Sequence, residues 1–132
     1  MMADPVPRAL CKLIDERDHY ACVKCGKPLH VTSGSRHHRQ RRAIGGHTPE
    51  NLILLCGSGT TGCHGDVHDH PEDARKHGWI VRATGIIEPE EIPLQVVANG
   101  PGSALRWVML SAEGTMLRIS DMTALALIGP NL

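Results

Sequence analysis

Leu10, Leu13 and Ile14 recur at helical spacing behind Pro7, and this pattern predicts a short amphipathic helix over residues 7–17 that acts as a lid on the core. Cys22-Val-Lys-Cys25-Gly26 follows as a tight turn, its glycine letting the backbone fold back under two thiols. Asn51-Leu-Ile-Leu-Leu-Cys56 is an apolar run of strand length, entered through Gly45-Gly46 and a Thr-Pro turn. From Cys63 the pattern becomes a helical turn with His64 and His68 at i and i+4, hence on one face. Pro71 at a first helical position, acidic Glu72 and Asp73 behind it, Lys76 and His77 in a last turn and Gly78 as a stop predict a second short helix over 71–77. Trp79-Ile-Val reads as a strand leaving that helix. Further β-type runs occupy 92–97, 106–111 and 115–119, the last two joined by the hairpin connection Ala112-Glu113-Gly114. Residues 1–5 and 128–132 are expected to fray.

Composition sharpens this outline. The 132 residues are 41% hydrophobic and 21% charged, which suits one small α+β domain and excludes collagenous, mucin-like and acidic disordered classes. Tyr20, Trp79 and Trp107 are the whole aromatic content, so the core is aliphatic and invites an extra staple. No apolar run approaches the roughly 18 residues of a membrane helix, and MMADPVPR lacks signal-peptide features, which points to a soluble intracellular protein.

The net charge of zero hides an asymmetry. Residues 1–84 carry 12 basic and 9 acidic side chains, a balance of +3, whereas residues 85–132 carry 2 and 5, a balance of −3. Between residues 22 and 42 stand Lys24, Lys27, Arg36, Arg39, Arg41 and Arg42 with no acid among them. Such a run is usually a solvated face, but this one brackets the adjacent pair His37-His38. All five cysteines lie within 11–63 and all nine histidines within 19–77. The chain therefore divides into 1–84, which holds all the metal-binding chemistry, and 85–132, a β-rich appendage without cysteine or histidine.

Cys22, Cys25, Cys56 and Cys63 can surround one tetrahedral Zn²⁺, because each pair comes from a turn and the turns need only meet in space. The alternative is a set of buried free thiols, the class to which Cys11 belongs. Four sulfurs saturate a structural zinc, which leaves His37, His38, His64 and His68, with Asn51 at the head of a strand, for a second metal centre. His19, His30, His47, His70 and His77 are read as ordinary surface or core residues.

The order Cys-x2-Cys, His-His, Gly-Gly, Asn-Leu-x-x-Leu-Cys, Cys-His-x3-His, Pro-x2-Ala and Gly-Trp resembles the HNH endonucleases, especially small standalone phage-type HNH proteins, over roughly residues 8–84. The resemblance implies a ββα-metal core: a strand ending at His37-His38, a loop through 40–50, a strand from Asn51 and a helix carrying His64 and His68. It also implies that His38 is the general base, that His37 with His64 and His68 binds a catalytic divalent ion, and that Asn51 braces the loop positioning His38. Spacing alone admits His64, His68 or both as ligands.

Many HNH proteins carry Asp-His where this chain has His37-His38. An imidazole set is softer than a carboxylate one, so Mn²⁺, Ni²⁺ or Zn²⁺ are expected to serve as well as or better than Mg²⁺. Substrate contact is expected from Arg36, Arg39, Arg41 and Arg42 on backbone phosphates of double-stranded DNA, giving nicking or low-specificity cleavage with strong salt dependence. Resemblance to phage proteins further implies work with the large terminase subunit, in the cytoplasm of a bacterial host. Two other readings stand beside this one: a non-catalytic zinc-stabilised nucleic-acid-binding module, and a zinc-stapled interaction protein whose acidic C-terminal part binds a protein partner.

Overall fold

The computed structural model describes residues 5–84 and 86–132, so the fraying expected at residues 1–4 lies outside the described residues. Helix α1 spans Arg8–Arg17 and strand β1 Gly34–His38, followed by the short helix α2, Arg42–Gly45. Strand β2 is Leu52–Cys56, helix α3 Gly62–Asp69 and helix α4 Pro71–Lys76. The C-terminal third holds β3 (Leu94–Val97), β4 (Leu105–Leu110), β5 (Met116–Arg118) and helix α5 (Asp121–Ile128). The class is α+β, with two antiparallel sheets: β1 pairs with β2, and β3, β4 and β5 form a meander.

Every residue of β2 is buried, and the alternation of a strand divides them between two sides. Leu52 and Leu54 meet Ile14 of α1, with Leu10 and Val6 packed alongside, which is the lid expected of the first helix. Ile53 and Leu55 join Val67 of α3, Ala74 of α4, Trp79, and Leu94, Val96, Val108 and Leu110 from the second sheet. Truncating one such aliphatic side chain to alanine costs about 2–5 kcal/mol.

A buried pair locks α1 onto this strand. Arg17 donates to Asp18 at 2.8 Å and to the carbonyls of Pro49 and Leu52, while the Asp18 carboxylate accepts the Leu54 N–H at 2.9 Å. The chain then reverses through His19 and Tyr20, both at positive φ, and enters the Cys22–Cys25 turn. Gly26 closes that turn at φ +82°, and a Cβ there would stand 2.6 Å from the backbone of Gly100 and Pro101, so the turn requires glycine twice over.

Several expectations need correction. Trp79–Val81 is irregular, not a strand: its backbone bonds run to isolated partners, such as the Val81 N–H to the Arg39 carbonyl at 2.9 Å. Residues 128–132 do not fray, because the buried Asn131 side chain accepts the Arg82 N–H and donates to the Arg75 and Ile80 carbonyls. Helix α5, capped by Ser120 on the Thr123 N–H, was not signalled by the alternation pattern. Leu94, Val96, Val108 and Leu110 of the C-terminal third share the main core cluster with Ile53, Leu55, Val67 and Trp79.

Candidate metal centres and the cavity beside them

The cysteine cluster is built by three elements. The Cys22–Cys25 turn lies along the edge of β2, where the Val23 N–H reaches the Leu54 carbonyl at 3.0 Å. Cys56 ends β2, and Cys63 opens α3 with its N–H directed at the Cys56 Sγ, 3.4 Å away. The four sulfurs lie within 4.8 Å of one another, and Cys25 and Cys56 are 3.7 Å apart. A tetrahedron with metal–sulfur bonds of about 2.3 Å has edges of about 3.8 Å, so the arrangement is compatible with structural zinc. The thiols compete for protons: a hydrogen bond from Cys63, ahead of the opposing effect of burial, holds Cys22 down to about 4, and Cys22 and burial push Cys63 far up. Cys25 is also pushed up, chiefly by burial. A divalent cation fits this set because it takes the place of the contested protons.

The second cluster comes from β1 and the adjoining face of α3. Ligand nitrogens of His37, His64 and His68 lie within 4.8 Å of one another, and the His37 ring meets those of His64 and His68 edge-on at 4.9 and 5.3 Å. Neighbouring acceptors select the tautomers. The Trp79 carbonyl can only accept, so His37 donates to it from Nε2, at 2.8 Å, and keeps a lone pair on Nδ1. Ser35 spends its hydroxyl proton on the Gly57 carbonyl and accepts from His64 Nδ1 at 2.6 Å, which leaves the Nε2 lone pair of His64 available. Burial pushes His37 down to about 3 and lowers His64 as well, keeping both rings neutral as metal ligation requires. Three imidazole ligands fit a transition ion with positions left open.

His37 and His38 alternate on β1, yet both line one cavity of about 780 Å³ with His64 and His68. His38 Nε2 is 3.0 Å from His47 Nδ1, and burial, then Arg42 and His47, push His38 down to about 4. His47 is thus drawn into the site although no spacing signal marks it. Asn51 is wholly buried: its Oδ1 accepts the Gln40 N–H at 2.7 Å and its Nδ2 donates to the carbonyls of Gln40, at 2.7 Å, and Gly46, at 3.0 Å. It pins both ends of the loop between β1 and His47. A Cβ on Gly45 would lie 2.5 Å from the Asn51 amide nitrogen, so the close approach depends on that glycine.

The remaining lining of the cavity includes Arg36, Arg39, Arg41, Arg42, Arg75 and Arg82 and, among the described residues, no acidic side chain. These arginines are not equivalent. Arg39 is corrected from a phosphate contact to a core staple: its buried guanidinium donates to the carbonyls of Gly78, Glu50, Pro89, Ile92 and Pro93. Burial lowers it to about 9, so it remains charged at neutral pH. Arg36 is paired with Asp15 through bonds of 2.9 and 2.5 Å. Arg41 and Arg42 are exposed at the rim. Arg75 lay outside the expected set.

No family model, curated protein or solved structure matches the chain. Among the described residues no helix is long and apolar enough to cross a membrane.

Proposed function

We propose that the chain is a metal-dependent endonuclease of the HNH kind, hydrolysing phosphodiester bonds of double-stranded DNA by nicking or low-specificity cleavage. One observation carries the reading: three imidazoles converge to ion-binding distance on a cavity that His38 also lines and whose described lining carries arginines and no acidic side chain. In this reading His37, His64 and His68 hold the catalytic ion and the four cysteines a structural zinc. A divalent ion bound there supplies Lewis acidity to the phosphate and the departing oxygen.

The chain's own residues perform the remaining tasks. With Nε2 of His38 turned to His47, Nδ1 is the nitrogen left to take a proton from water. The oxygen of that water forms the new bond to phosphorus, the bond from phosphorus to the 3′ oxygen breaks, solvent protonates the departing 3′ oxygen, and His38 gives its proton back to solvent. Asn51 holds the loop that carries His47 opposite His38. Arg41 and Arg42 engage backbone phosphates, which position the duplex without reading its sequence. The phage-type resemblance extends the proposal to action beside a large terminase subunit in a bacterial cytoplasm.

Plasmid nicking with Mg²⁺, Mn²⁺, Ni²⁺ and Zn²⁺ tests the reading, the unaltered chain being compared with His38→Ala. The expected result is cleavage that the substitution abolishes while folding and DNA retention survive. Equal cutting by both proteins removes His38 from its role. DNA retention with no cutting under any ion supports the non-catalytic nucleic-acid-binding module instead.

A further inference from the structure

The arginines around the cavity can be sorted by what their guanidinium groups already bind. Arg39 is spent on five carbonyls, Arg36 on Asp15, and Arg82 on the Leu132 carbonyl. Arg41 and Arg42 are exposed, so water satisfies them. Arg75 is different. Its Nε is screened from solvent, yet it makes no hydrogen bond, the one such side-chain atom among the described residues. Its backbone is tethered, since the Arg75 carbonyl accepts from the buried Asn131 side chain at 2.9 Å. A charged donor held in this way destabilises the free protein unless an anion completes it.

We infer that Arg75 is the phosphate-gripping residue of the cavity, its guanidinium turning from its unpartnered position to present Nε–H and a terminal nitrogen to the two non-bridging oxygens of a phosphodiester. Three observations converge on it: the unpartnered Nε, its place on the same cavity as His37, His38, His64 and His68, and the lack of any acidic side chain in that lining among the described residues. A planar fork matches the oxygens of a phosphodiester, whereas a lysine offers only a point charge. Arg41 and Arg42 at the rim add steering, but Arg75 starts from a backbone on α4 whose carbonyl Asn131 holds. The inference rests on the nuclease reading for its substrate, and it adds a residue that the basic run of 22–42 does not contain.

The test separates the two. Affinity for a short DNA duplex is measured against salt concentration in the cleavage-deficient His38→Ala chain with Mn²⁺ or Zn²⁺ present, or in His38→Gln should the alanine variant not fold. Arg75→Met is expected to weaken binding about tenfold for any sequence and to lower the salt slope by about one, the signature of one lost phosphate contact. Arg75→Lys is expected to restore the slope and only part of the affinity. Arg8→Met, on the exposed start of α1, changes neither. The melting temperature of Arg75→Met should be unchanged or higher, because an uncompensated donor is removed. An unaltered salt slope for Arg75→Met overturns the inference even where nicking by the native chain upholds the nuclease reading. A reduced slope in a chain that never cuts keeps Arg75 as a phosphate site and discards the catalysis.

Discussion

His38 Nε2 and His47 Nδ1 face each other at 3.0 Å across the turn that Asn51 holds closed. One nitrogen must carry the hydrogen. If His38 donates, its lone pair is confined to Nδ1 and the ring is fixed in one orientation. His47→Ala is therefore expected to lower the nicking kcat by up to about a hundredfold with little change in KM, the effect of a misplaced base. His47→Asn, which puts an amide oxygen near the position of Nδ1, should recover much of the rate. Steady-state nicking kinetics of the two variants check this, and an unchanged kcat for His47→Ala would leave His47 without a positioning role.

The cysteine cluster predicts a metal-dependent fold. Cys25→Ser should lose about one zinc per chain by elemental analysis and lower the melting temperature by roughly 10 °C or more, since binding energy at such a site is folding energy. His64→Ala should leave that zinc and most of the stability in place while abolishing nicking. Equal zinc content in the native and Cys25→Ser chains would remove the four-thiolate site.

Arg39 and Arg41 are two residues apart and carry the same charge, yet opposite outcomes are expected. Arg39→Met deprives five carbonyls of their donor and should cost at least about 3 kcal/mol in urea unfolding. Arg41→Ala, at an exposed position, should change stability by less than about 0.5 kcal/mol but weaken duplex binding. Comparable stabilities for the two variants would contradict the division of labour.

Asn51→Ala leaves the Gln40 N–H and the carbonyls of Gln40 and Gly46 without partners in a buried site, which should cost about 3 kcal/mol and release the loop. Asn51→Asp keeps an acceptor for the N–H but sets a carboxylate against two carbonyls, and should be no better. Both should nick far more slowly than the native chain at a temperature where they remain folded. Full activity in a folded Asn51→Ala chain would show that the loop does not need this brace.

The parts of the fold legible in the sequence are those set by neighbours in the chain. The spacing of Leu10 and Ile14 marks α1, the unbroken run of 52–56 marks β2, and the i, i+4 pair puts His64 and His68 on one face of α3. The pairing of Cys22 with Cys25 is equally local. Helix α5 is not marked by periodicity, because its sequence, Asp-Met-Thr-Ala-Leu-Ala-Leu-Ile, is apolar on several sides and leaves Leu125 exposed. Trp79–Val81 misled in the opposite sense: an apolar triplet of strand composition whose place is set by His37 and Arg39, not by a ladder.

By itself the sequence determined which residue types could do chemistry and at what local spacing: four thiols in two pairs, four imidazoles, and a dense basic run. Tertiary structure alone decided their partners. It turned Arg39 inward, set Arg36 on Asp15, brought His47 to His38 and left the Arg75 Nε unanswered beside the imidazoles. The reason is physical: spacing along a strand or helix sets which way a side chain points, but whether a charge meets water, a carbonyl or another ring depends on segments tens of residues away.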